Sequence, residues 1–75
     1  MPNVVIKTLT GKKLNLQLEP HFTILHIKQM IQEREGIDVD QIKLIHSGKQ
    51  VSDNDTVQSK HINENSLLHM VLQLR

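Results

Sequence analysis

The chain can form only one substantial amphipathic helix, and it has no second helix of comparable length to pack against. Between Thr23 and Gly36, Ile24, Ile27 and Ile31 fall at i, i+3 and i+7, on one helical face. Thr23 is the expected N-cap, its hydroxyl accepting from a free amide of the first turn. Phe22 at N′ and Ile27 at N4 have the spacing of a hydrophobic staple. Gly36 is the expected left-handed stop, so the helix should run from about Ile24 to Glu35. A lone helix buries an apolar stripe only against a sheet. The chain is therefore predicted to be a two-layer α+β domain.

Strand patterns flank that helix on both sides. Val4 and Ile6 alternate with Asn3, Val5 and Lys7, and Leu14, Leu16 and Leu18 alternate with Lys13, Asn15 and Gln17. Between them Thr8-Leu9-Thr10-Gly11-Lys12 reads as a bulged hairpin loop, in which Gly11 supplies a positive φ. Pro20 offers no ladder donor, so the second strand ends by Glu19. After the helix, Lys43-Leu44-Ile45-His46 reads as a strand turned by Ser47-Gly48-Lys49, with a short strand around Val51. Asp53-Asn54-Asp55 reads as a solvated polar loop, and Thr56 as the cap of a brief helical turn through Ser59. A last strand carries Leu68, Met70, Leu72 and Leu74 on one face and His69, Val71 and Gln73 on the other. The predicted order is β-β-α-β-β-short helix-β, in a single domain spanning residues 1–75.

A chain of 75 residues with no cysteine has neither disulfides nor thiolate metal sites to stabilise it. Its stability must come from aliphatic packing, because Phe22 is the single aromatic among Phe, Trp and Tyr. Nine Lys and Arg against eight Asp and Glu give a formal charge of +1, which argues against nucleic acid as a partner. No apolar run reaches the roughly 18 residues of a membrane span. Met1-Pro2-Asn3 has neither a signal-peptide profile nor a glycine for myristoylation. Ser47, Ser52, Ser59 and Ser66 fall in turns without an evident base, so no enzyme activity, catalytic residue or cofactor is expected. Nor is a metal expected. His26 has Met30 at i+4, His21 and His61 fall in separate loops, and parity sends His46 and His69 to opposite faces.

Lys7-Thr8-Leu9-Thr10-Gly11-Lys12, Glu35-Gly36-Ile37, Leu44-Ile45, Gly48-Lys49-Gln50 and Leu68-His69-Met70-Val71-Leu72 together resemble the ubiquitin family. The resemblance runs without a gap from about Val4 to Arg75. It implies the β-grasp fold, a mixed sheet packed on one main helix. With the periodicity, it predicts a core of Val4, Ile6, Leu14, Leu16, Leu18, Ile24, Ile27, Ile31, Leu44, Val51, Ile62, Leu68 and Met70. It also implies a partner-docking patch at Leu9, Ile45, Gly48, His69 and Val71. Parity agrees, because with Leu44 and Met70 inward, Ile45, His69 and Val71 point outward. The plainer reading makes Ile45 and Val71 ordinary cross-strand partners, but apolar residues gathered on a wet face mark an interaction surface.

By the same resemblance Lys49, Lys12, Lys7 and Lys28 match linkage lysines, although solubility is the simpler role for the last three. Met30, Arg34 and Glu64 replace other family lysines. Lys60 replaces a tyrosine whose hydroxyl anchors its loop, His46 and Val5 replace phenylalanines, and Asp38-Val39 replaces a proline pair, which should loosen that turn. Val5 and His46 put the family's secondary binding surface around the first strand in doubt. The chain is thus read as a divergent relative of ubiquitin and the neddylation modifier.

Two functions follow from the resemblance. One is a covalent modifier, joined to target lysines through a Gly-Gly that would follow Arg75 and handled by activating and conjugating enzymes. The other is a non-covalent domain of a larger protein, binding ubiquitin receptors or the proteasome. Either implies a monomer of the cytoplasm and nucleus. Gln73 stands where ubiquitin has arginine and the neddylation modifier alanine, a position that activating enzymes read.

Overall fold

A computed structural model describes residues 3–8 and 10–73. The helix α1 spans Ile24–Glu35, with the Thr23 hydroxyl accepting from the His26 amide at 3.2 Å and Gly36 in the left-handed region at φ 70°. Ile24, Ile27 and Ile31 are fully buried, as the stripe requires. Phe22 packs half-buried against the core and stacks on His26, with ring centroids 4.2 Å apart.

Five strands form the opposing layer: β1 (Asn3–Lys7), β2 (Lys13–Gln17), β3 (Ile42–His46), β4 (Lys49–Gln50) and β5 (Leu67–Leu72). Their spatial order is β2-β1-β5-β3-β4. β1 pairs antiparallel with β2 and parallel with β5, while β3 is antiparallel to both β4 and β5. The mixed sheet covers one face of α1, the β-grasp arrangement. Gly11 closes the first hairpin at φ 87°, its N–H bonded to the Thr8 carbonyl at 3.0 Å.

All thirteen expected core residues are buried, and Ile42 and Val57 join them. Ile42 faces inward because β3 begins one residue earlier than its alternation suggested. Val57 sits in the loop after β4, where no periodicity marks it.

The short helix after β4 is a correction. Residues 57–61 form turns, in which the Lys60 amide reaches the Thr56 carbonyl at 3.2 Å without a continuing helix. The expected cap is present nonetheless. Thr56 Oγ1 accepts from the Ser59 amide at 3.0 Å, and Ser59 Oγ accepts from the Thr56 amide at 2.9 Å. A short 3-10 helix lies elsewhere, at Val39–Gln41, and fills the turn where Asp38-Val39 was expected to loosen the chain.

The polar loop at Asp53 and Asp55 is exposed at Asp53 and Asn54, yet it also supports the helix. Its carbonyls accept from the first helical amides, Asp55 from Ile24 at 2.8 Å and Asp53 from Leu25 at 3.2 Å. With the Thr23 hydroxyl on His26, the orphan amides of the first turn are satisfied. The Asp53 carboxylate also takes Lys28 Nζ at 2.6 Å. Lys28 is thereby buried, its side chain 9% exposed, which corrects its reading as a solvated surface lysine. Lys60 Nζ lies 3.7 Å from Asp55 Oδ2, so an ion pair ties the loop where the hydroxyl anchor is missing.

Two predictions test this packing. Ile31→Ala should lower stability by about 2–5 kcal/mol in urea melts, the range for a buried aliphatic truncated to alanine; a loss under about 1 kcal/mol would contradict the burial of that helix face. Asp53→Ala should cost about 1–3 kcal/mol, because it strands a buried ammonium. Lys28→Met, which removes that charge and keeps the stem, should cost less. The reverse order of midpoints would show that the pair contributes nothing.

Candidate functional site

The side of the sheet away from α1 follows from strand register. Leu44 faces Met70 in the core, which sets Ile45 opposite His69 and Lys43 opposite Val71 on the outer face. The parallel pairing of β1 with β5 adds Lys7 beside His69 and Val5 beside Leu67. Ile45, His69 and Val71 are thus brought together on one surface. His69 is exposed, whereas Ile45 and Val71 are half-buried among their neighbours. Ile45 thus faces outward as parity requires, but is only partly open to solvent. Both readings of these residues hold at once: they brace the sheet, and their outer surfaces stay open.

Leu67, 41% exposed, extends the same face toward Val5. Sequence reading missed it, although its parity with His69 and Val71 was the available signal. Leu9 lies outside the described residues, as do Leu74 and Arg75. Gly48 and Ser47 form the two-residue turn from His46 to Lys49, at φ 79° and 52°. Positive φ at both positions is what a type I′ hairpin turn demands. A side chain at Gly48 would meet no atom within 4 Å, so backbone conformation alone favours glycine there.

Charge is segregated around this surface. The five strands carry Lys7, Lys13, Lys43 and Lys49 and no acid, whereas every Asp and Glu sits in a helix, turn or loop. His46 pairs with Leu68 on the inner side, while His69 faces outward.

The four candidate linkage lysines have different environments. Lys49 and Lys7 are exposed on the strands. Lys12 Nζ bonds both carboxylate oxygens of Glu35, at 3.0 and 3.1 Å, with its side chain still 58% exposed. Lys28 is closed off by Asp53 and must leave that pair before its amine can attack anything. Gln73 follows β5, exposed, with its N–H held by the Gln41 carbonyl at 2.7 Å.

Comparison with known proteins places these features in context. A family model described as the ubiquitin family matches residues 4–75. Ubiquitin-like protein 1 of Schizosaccharomyces pombe is 42% identical over 72 residues, covering 96% of this chain and 92% of its own. The NEDD8-like protein RUB1 of Saccharomyces cerevisiae is 44% identical over 72 residues, covering 96% and 94%. The E3 ubiquitin-protein ligase parkin of Drosophila melanogaster is 33% identical over 69 residues, which are 92% of this chain and 14% of the ligase.

Ile45→Ala should weaken binding to a ubiquitin-associated domain by at least about 1–2 kcal/mol, since small interfaces rest on few anchors. Being half-buried, the residue should also contribute about 1 kcal/mol to stability. Chemical-shift mapping checks the location. Shifts centred on Phe22 and the exposed Leu25 would place docking on the helix side and contradict the outer-face assignment.

Proposed function

This chain belongs to the ubiquitin family, and on that premise we propose that it acts as a covalent protein modifier read by partners through the outer face of its sheet. One observation carries this reading. Identity is 42–44% to two small ubiquitin-like relatives across nearly their whole length, against 33% to a stretch making up 14% of a large ligase. Conjugation needs a Gly-Gly after Arg75, whose carboxylate an activating enzyme adenylates and passes to a conjugating enzyme. The folded domain supplies no catalytic group; it contributes a rigid surface, a tail whose carboxylate is joined, and the Lys49 amine as a linkage site. Its partners in this reading are those enzymes and ubiquitin-receptor domains, met by a monomer in the cytoplasm and nucleus. Among the candidate linkage sites Lys49 is the one we favour, being exposed beside the patch.

The second reading, a non-covalent domain of a larger protein, draws on the match to parkin. The same outer face would serve it, without any tail chemistry.

Gln73 separates the two. At an activating enzyme that reads arginine here, an interfacial carboxylate facing glutamine gains hydrogen bonds but no countercharge. Leaving such a carboxylate unpaired costs about 2–5 kcal/mol when it is buried. A Gly-Gly-tailed chain should therefore be charged poorly by the ubiquitin-activating enzyme and better by a neddylation-type enzyme, with Gln73→Arg restoring the former. Thioester formation on a gel checks this. Equal charging of both forms would remove Gln73 as the selective residue, and no charging by any activating enzyme would favour the non-covalent domain.

A further inference from the structure

Where β3 turns into β4, the hairpin faces residues 59–61 across a cleft of about 530 Å³. Cationic and imidazole groups come from both walls: His46 and Lys49 from the hairpin, Lys60 and His61 from the loop. No Asp or Glu lines it. Lys49 has no acidic partner among the described residues. Lys60 has one, Asp55, but at 3.7 Å with the Lys60 side chain 44% exposed, and the same carboxylate oxygen already accepts from the Ser52 amide at 2.9 Å. An ammonium carries three donors, so Lys60 keeps donors for a second acceptor. His46 Nδ1 is sealed from solvent and has no hydrogen-bond partner among the described residues. His61 is held in the left-handed region at φ 55°, its amide bonded to the Gln58 carbonyl at 3.1 Å.

The cleft thus combines two ammonium groups with imidazole N–H donors and the Ser47 hydroxyl, and it lacks any carboxylate. Such a set repels metal cations and offers no aromatic plane for a base to stack on. It suits a compact anion rich in acceptors. On the open outer face Lys7 pairs directly with Lys13 and lies beside His69, but on a strand surface and not between two walls of a cleft. We propose that this cleft binds a phosphate group, presented either by a free phosphate ester or by a phosphorylated side chain of a protein partner. The cleft needs no Gly-Gly tail, but it shares Lys49 with the favoured linkage site and its hairpin adjoins the Ile45 surface.

The test is a titration of the folded chain with inorganic phosphate at constant ionic strength, followed by amide and imidazole chemical shifts. Saturable shifts confined to residues 46–51 and 59–61 are expected, with binding in the millimolar range. K49Q/K60Q should weaken it about tenfold, a change of about 1.4 kcal/mol. K49Q alone, at an exposed position, should have a smaller effect in the same direction, and K7Q/K43Q should leave binding unchanged. Unsaturated shifts shared equally with Lys7, Lys13 and Lys43 would overturn the proposal, as would full binding by a folded K49Q/K60Q. Repeating the titration with a phosphoserine peptide divides the sources. Tighter binding than inorganic phosphate at the same residues supports a phosphorylated side chain, and equal binding supports a free phosphate ester.

Discussion

The fold depends on how the N-terminus of α1 is held. At twelve residues the helix is too short to persist alone in water, and its stripe has value only when aimed at the sheet. Asp53 and Asp55 fix that aim by taking the first-turn amides on their carbonyls, while the Asp53 carboxylate draws in Lys28 one turn further along. The loop then continues beside the chain entering the helix: the Val57 amide bonds to the Phe22 carbonyl, and that of Gln58 to Pro20. Two connections far apart in sequence, β2 to α1 and β4 to β5, are thereby joined along their length. Val57 and Ile62 are buried beneath the seam. The seam adds a backbone tie to the apolar core in which Leu44, Leu68 and Met70 meet the helix stripe.

Which parts of this were legible in the sequence follows from the range of the signal. Alternation and the 3.6-residue period are local; they located α1 and the strands, and together with the family resemblance the thirteen core residues. The seam is not local. Lys28 lies beside Ile27 and Ile31 at the margin of the stripe, and its partner is 25 positions away; nothing nearby distinguishes it from a solvated lysine. Asp53 and Asp55 act largely through backbone carbonyls, which side-chain identity does not announce. The outer face was legible because one inward residue per strand fixes all the rest. Its extension to Leu67 followed the same parity on β5, while the neighbour that Leu67 meets, Val5, required the register of β1 on β5, a long-range pairing that alternation leaves open.

The sorting of charge has a structural origin as well. Helix ends and turns use carboxylates and carbonyls to satisfy free amides, and this chain draws its acids into those places. Glu64 accepts from the Asn3 amide at 2.9 Å and Asp55 from Ser52, while Glu35 holds Lys12. The strands are left with lysines. A surface that is basic around an apolar centre follows as a consequence, with a field complementary to acidic groups around an apolar anchor. Edge protection uses the same stock of charge. Arg34 donates to the Asn15 carbonyl on β2, the outermost strand, at 3.1 Å, occupying an acceptor that another strand would otherwise seek.

An apolar outer face on a small domain is a hazard unless its backbone is fixed. Here it lies on β3 and β5, whose five consecutive paired positions, Ile42 with Leu72 through His46 with Leu68, form the interior of the sheet. Ile42, Leu44, Leu68 and Met70 on these strands are locked in the core, so Ile45, His69 and Val71 are presented by a backbone that has already lost its freedom. A partner docking there orders little of this chain, and a small contact area retains more of its gross interaction energy. The half-burial of Ile45 and Val71 works in the same direction, since their rotamers are already restricted before a partner arrives. The alternation that makes the sheet stable therefore also makes its wet side a preorganised surface.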